Sequence, residues 1–156
     1  MEGHLMLLGG SNESSHKADG CWLGNGQVFY VVVAEGYLQL YLRADRHELQ
    51  EKVALTRKRV CVRRAQKSLF QVDISHRFGG TKVPSAAPRK LTFLASSVRS
   101  AEMWVQFLCR WNRVGFAAPV LVDQAPEHIE TLHLLLKHAY MADEDKFVSH
   151  QPQRRW

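Results

Sequence analysis

Within Lys90-Leu91-Thr92-Phe93-Leu94-Ala95-Ser96-Ser97-Val98-Arg99-Ser100-Ala101-Glu102-Met103-Trp104-Val105 the chain changes period. Up to Ala95 the residues suit a strand. From Ser97 onward Ala101, Trp104, Val105, Leu108 and Trp111 recur at helical spacing on one face. Ser97 is placed to cap that helix at its N-terminus and Gly115 to stop it, giving about four turns.

Upstream, the pattern is strand after strand. Glu2, His4 and Leu5 to Leu8 end at Gly9-Gly10, and Ser11 to Gly20 is polar loop. Val28 to Val33 and Tyr37 to Leu42, joined by a tight Ala-Glu-Gly turn, make the strongest hairpin signal in the chain. Arg43 to Lys52 lacks an apolar stripe and is expected to be a charged connection. Val53 to Thr56, Val60 to Val62, and the alternating Leu69 to Ile74 read as further strands; His76 to Pro88, with Gly79, Gly80 and Pro84, reads as a long loop. Downstream of Pro119 and Pro126, the residues Ile129, Leu132, Leu135, Leu136 and Ala139 predict a second helix over about 126–140, followed by a frayed tail from Met141.

Roughly seven short strands followed by an amphipathic helix is an uncommon order, because most small all-β domains end on a strand. The order resembles the pleckstrin homology fold. Glu2-Gly3-His4-Leu5 is similar to the opening of that family's first strand, Val31-Val32-Val33 to its second and Tyr37-Leu38-Gln39-Leu40-Tyr41 to its third. Leu91 to Ser96 resembles its last strand, and Ser100-Ala101-Glu102-Met103-Trp104-Val105 its Glu-x-x-Trp closing helix. The resemblance implies a mainly β, seven-stranded barrel or sandwich plugged by Trp104, here with one extra C-terminal helix. An antiparallel barrel is splayed at one end, and a buried Trp covers about 150–250 Å² of it. The expected division is a PH-like domain over 1–115 and an extension over 116–156.

Composition sets the outer bounds. At 156 residues and 46% hydrophobic, the chain supports one domain and an appendage. No apolar run approaches the roughly 18–20 residues a membrane span needs, and residues 1–10 lack the basic region and cleavage site of a signal peptide, so a soluble cytoplasmic protein is expected, peripheral at a membrane or cytoskeleton at most. Cys21, Cys61 and Cys109 are too far apart for a Cys-x-x-Cys site. Cys61 and Cys109 lie within apolar patterns and are expected in the core.

The net charge of +6 hides a segregation. Residues 43–113 hold 16 basic and five acidic groups, whereas the flanking blocks are net acidic. Such a face attracts phosphoinositide headgroups, nucleic acid backbones, or acidic protein tails such as those of tubulin. Family members that hold phosphoinositides tightly carry a lysine late in the first strand and a Lys/Arg-x-Arg pattern on the second, because phosphates need converging cations. This chain has Met6, Leu7 and Leu8, then Gln27, Val28, Phe29 and Tyr30, with only Lys17 nearby. Its cations stand instead at Arg43, Arg46, Arg57, Lys58, Arg59, Arg63, Arg64 and Lys67. They serve either as an edge that resists aggregation or as a basic surface for an acidic partner or an anionic membrane. Nucleic acid fits less well, since no aromatics interleave with them.

Chemistry is not indicated. There is no Gly-rich phosphate loop, nucleophile elbow or paired-carboxylate motif, and no cofactor is implied. His128, His133 and His138 are spaced by five, which turns them about 140° apart on a helix and away from a shared metal. The expected function is a non-catalytic adaptor or scaffold module for a protein partner, with Lys17, Arg43, Arg57, Lys58, Arg59, Arg63 and Arg64 as candidate contacts for an anionic partner or lipid. Leu132, Leu135 and Leu136 are either packed on the barrel or offered to a protein.

Overall fold

The computed structural model describes residues 1–9, 26–76, 88–113 and 119–148, with the backbone alone for 140–148. Lys17, Cys21, Gly115 and the loops around them, with the expected 76–88 loop, lie wholly or largely outside the described residues. The elements are β1 (Glu2–Leu8), β2 (Gln27–Ala34), β3 (Tyr37–Tyr41), β4 (Leu49–Ala54), β5 (Lys58–Arg64), β6 (Leu69–His76), β7 (Arg89–Leu94), α1 (Val98–Cys109), β8 (Leu121–Val122) and α2 (Pro126–Val148).

The strands pair antiparallel in the order β4-β3-β2-β1-β7-β6-β5. Side chains alternate between two faces along a strand, so one face of this ribbon is continuous and apolar. Leu5, Leu7, Phe29, Val31, Leu38, Leu40, Val53, Phe70, Val72, Ile74, Leu91 and Phe93 form one buried cluster, so the ribbon folds around a single core. Among the described residues β4 and β5 share no ladder. The sheet is therefore an open sandwich, not a closed barrel, and the Arg89–Glu51 ion pair links the start of β7 to β4.

The hairpin turn between β2 and β3 places Glu35 and Gly36 at φ of 54° and 79°, a primed turn whose twist matches the flanking strands. Strand β4 corrects the expected connection over Arg43 to Lys52. Leu49 to Lys52 pair with β3 through Tyr41 to Gln39, and Gln50, Glu51 and Lys52 are polar because the edge they form faces water, where Leu49 is also exposed.

α1 plugs the sandwich. Ser97 Oγ accepts from Ser100 N at 3.1 Å, and Ala101, Trp104 and Leu108 enter the core, Trp104 with no exposure at all. The Arg64–Glu102 pair at 3.0 Å ties β5 to this helix. Cys109 lies five residues past Trp104, on the outer side of the helix, and is exposed; it is not a core residue. Cys61 is exposed as well, because it falls on the outward-facing positions of β5 with Arg59 and Arg63.

β1 outlasts β7. Only Met6 to Leu8 pair with β7, and the edge left open at Glu2 and Gly3 is filled by β8 in parallel. Glu2 N donates to Val120 O at 2.9 Å. α2 then crosses the outer face, where Leu132, with no exposure, packs with Met6, Leu8 and Leu69, and Val28, Leu94 and Leu136 complete a second small cluster. The helix continues to Val148, beyond the expected fraying at Met141. Leu132→Ala is expected to cost about 2 kcal/mol, at the low end for a buried leucine because this peripheral site can partly collapse. Urea denaturation checks the size, and hydrogen exchange should show faster exchange of α2 amides with β3 and β6 unchanged.

Candidate interaction surfaces

The first surface is the end of β1 and the start of β2, where a phosphate-binding member of the resembling family would carry its cations. Met6, Leu7, Leu8, Phe29 and Tyr30 are buried and Val28 is half-buried, leaving Gln27 as the exposed residue of the set. α2 lies on the outward side. A Cβ on Gly26 would meet Met6 Sδ at 2.6 Å and Leu136 Cδ2 at 2.9 Å, so the helix and β1 crowd the start of β2.

α2 is held there by a polar clasp in which Asp123, at φ 48°, is the centre. Its Oδ2 accepts from Ser96 Oγ at 2.7 Å and its Oδ1 from Ser100 Oγ at 2.8 Å. The carbonyl of Asp123 lies 2.8 Å from His4 Nδ1, and since a carbonyl only accepts, that nitrogen carries the proton. His128 Nε2 stands 3.5 Å from Asp123 Oδ1. Beside this, Tyr30 Oη lies 2.8 Å from Glu2 Oε1 and 2.7 Å from Gln124 Oε1, and Arg46 pairs with Glu2. Burial, reinforced by the Glu2 hydrogen bond, pushes the Tyr30 phenol above its usual value. None of this was visible in the sequence as a motif: Asp123 and Gln124 sit in a short connection between two prolines and touch strands about 120 residues away. His128, expected at the surface like His133 and His138, is half-buried in the clasp; the other two are exposed. Among the described residues no group of three or more His, Cys, Asp or Glu side chains is placed to hold a metal.

The second surface is β5 and the outer face of β5–β6–β7. The candidate cations do not gather at one point. Arg43 is exposed in the β3–β4 connection, Arg57 is exposed in the β4–β5 turn, and Lys58 and Arg59 begin β5. Arg63 is paired with Asp73 of β6, and Arg64 with Glu102 of α1 and the Lys67 carbonyl. Arg57, Lys58 and Arg59 form no ion pair among the described residues. Of the three leucines, Leu132 is in the second cluster, Leu136 packs against it and Leu135 is half-buried, so they lie mainly on the sheet; Leu134 is the exposed one, at 55%.

Asp73 lies opposite Cys61 on β5 and Lys90 on β7. Burial opposes its ionisation, but hydrogen bonds from Gln71 and Arg63 and the charges of Arg63 and Lys90 outweigh it and hold the carboxyl below its ordinary value. A depressed folded pKa gives stability that is present above the ordinary carboxylate range and lost as pH falls through the folded value. Asp73→Asn should therefore flatten the acid limb of stability below about pH 4, which urea midpoints recorded across that range will show.

No family model and no curated protein matches the chain. Among solved structures it is similar to one described as the crystal structure of SifA and SKIP, at 20% identity and a TM-score of 0.49 over 74% of this chain and 99% of that one. It is also similar to the Slm1-PH domain in complex with inositol-4-phosphate, at 18%, 0.45, 69% and 91%, and to the PH domain of human oxysterol binding protein-related protein 11, at 13%, 0.44, 76% and 88%. Those likenesses accompany the strand order, the open sandwich and the helix that plugs it through Trp104. The fold is pleckstrin-homology-like. To this PH-like core the chain adds β8 and α2, whose clasp on β1 closes over the strand pair that carries no cation. No described helix is long and apolar enough to cross a membrane.

Proposed function

We propose that this PH-like chain is a non-catalytic interaction module whose ligand is a protein, acting within an adaptor or scaffold assembly. The observation that carries the reading is the state of the β1–β2 pair: apolar, buried, and covered on its outer side by α2. A multiply charged headgroup placed there would lose water and meet no cation among the described residues, and an uncompensated buried charge costs several kcal/mol. The division near residue 115 is part of the proposal, with 1–113 supplying the sandwich and the later segment supplying β8 and α2 as its cover.

A peripheral membrane role through the basic residues is the rival reading. Co-sedimentation with phosphatidylcholine vesicles, with and without phosphatidylserine or phosphoinositides, separates the two. The module reading expects weak binding that follows net vesicle charge, disappears at high salt and ignores the position of the phosphates on the inositol ring. Tight, salt-resistant binding that depends on phosphate position would contradict it.

A further inference from the structure

α2 outruns the sheet that supports it. Leu132 is buried on the sheet and Leu136 packs beside it, but Lys137, His138 and Ala139, next along, are all exposed. From Lys137 to Val148 the helix runs on for about 18 Å. Three helical turns without packing are marginal in water, and Asp143, Glu144 and Asp145 fall in the last two turns, where the helix dipole disfavours negative charge. Leu134, on the side of α2 away from Leu132, is 55% exposed. The far half of α2 thus calls for a partner surface.

Its sequence is complementary to itself. Leu134, Met141 and Val148 recur every seven residues, just under two turns, and so share one face of α2. Lys137 and His138 stand four and three residues before Met141, and Glu144 and Asp145 stand three and four residues after it, all bordering that face. Cations therefore lie on one half of the stripe and carboxylates on the other, about one centre.

We propose that α2 pairs antiparallel with α2 of a second copy of this chain, across a twofold axis at Met141. Leu134 of each copy then meets Val148 of the other, Met141 meets its counterpart, and Lys137 of each copy meets Glu144 of the other, every contact occurring twice. A parallel pair would set Lys137 on Lys137 and Glu144 on Glu144, which is repulsive. An anionic bilayer would repel Asp143, Glu144 and Asp145, and a purely basic partner would leave Lys137 facing like charge. Two short helices bury less than the roughly 1,200 Å² of a strong interface, so the pair is weak and depends on concentration. The contact uses the part of α2 beyond the sheet, so the covered β1–β2 pair is the same in one copy or two.

The test is sedimentation equilibrium of the whole chain over about 5 to 500 μM, where the mass should rise from 17.9 kDa towards twice that value with a dissociation constant near roughly 50 μM. Leu134→Asp and Lys137→Glu, both at exposed positions, should each weaken pairing about tenfold while leaving the urea midpoint of the dilute protein unchanged. A chain carrying Glu144→Lys and Asp145→Lys should pair as poorly with itself. Mixed with the Lys137→Glu chain it should pair about as tightly as the unaltered protein, because the exchange restores opposite charges at both contacts. Amide exchange over residues 138–148 should slow as concentration rises, with that of β5 and β6 constant. A monomer throughout the range, which would leave this face to some other protein, would overturn the proposal. So would a dimer indifferent to both Leu134→Asp and Lys137→Glu, a mixed sample that does not recover, or unchanged exchange over 138–148 in the dimer.

Discussion

Replacing Trp104 by Ala is expected to destabilise the protein by about 3–5 kcal/mol, the usual cost of deleting a fully buried large aromatic from a core that cannot collapse into the space. A domain of this size is stable by about 5–15 kcal/mol in total, so the change removes a large part of the margin. Trp104 is the side chain by which α1 closes the sandwich, and it shares the cluster with Phe70, Phe93 and Leu108 from β6, β7 and α1 itself. Its Nε1 has no hydrogen-bond partner among the described residues, so among them the indole is held by burial and not by a polar anchor. Trp104→Phe removes that unpaired N–H while keeping a ring, and should cost about 1–2 kcal/mol less than Ala. Urea denaturation followed by circular dichroism measures both. A loss below about 1 kcal/mol for Trp104→Ala would mean that α1 is not a plug.

Gly3→Val is expected to cost about 3 kcal/mol through a different mechanism. A Cβ at residue 3 would lie inside the van der Waals envelope of the Val122 carbonyl oxygen, and that neighbour is backbone, which cannot rotate away. β8 must leave β1. With it go the Glu2 N–Val120 O bond and the His4–Asp123 contact, and Val122 is drawn out of the core. The measured loss combines overpacking, about 1–3 kcal/mol, with those contacts. Hydrogen exchange should show the α2 amides opening together with Glu2, while β5 and β6 keep their protection. If β5 and β6 opened equally with α2, β8 would be an integral part of the core and not a separable clasp.

The parts of this fold that are legible in the sequence are those whose pattern is local. The β2–β3 hairpin announces itself through two β-branched and aromatic runs around Glu35-Gly36, and α1 through a stripe on one face preceded by a serine cap. The parts that are not legible depend on distant partners. Leu49-Gln50-Glu51-Lys52 has no alternation, because β4 is an edge whose pairing with β3 is decided by the hairpin register before it. β8 has two residues, too few for any period, and exists because β7 leaves β1 early. The misplaced cysteines follow from phase: one position along β5, or one along α1, turns a side chain from core to water.

The basic residues were identifiable from the sequence as a group, but their separation into paired and unpaired members was not. Arg46 finds Glu2, Arg63 finds Asp73 across a β-ladder and Arg64 finds Glu102 on α1, which leaves Arg43, Arg57, Lys58, Arg59 and Lys67 without an ion pair among the described residues. Likewise the helix over Leu132 to Leu136 is foreseeable from its spacing, whereas the face of the sheet it covers is not. That placement matters, because it turns the missing cations of β1 and β2 from a gap in a motif into a covered, apolar surface.

On the proposed reading, the covered β1–β2 pair is not an anion site. The most direct test is a titration of the isotope-labelled protein with soluble inositol phosphates, followed amide by amide in solution. Met6, Leu8 and Gln27 to Tyr30 are expected to keep their chemical shifts up to about millimolar ligand, where binding is worth only about 4 kcal/mol. Saturating shifts at those residues in the micromolar range would contradict it.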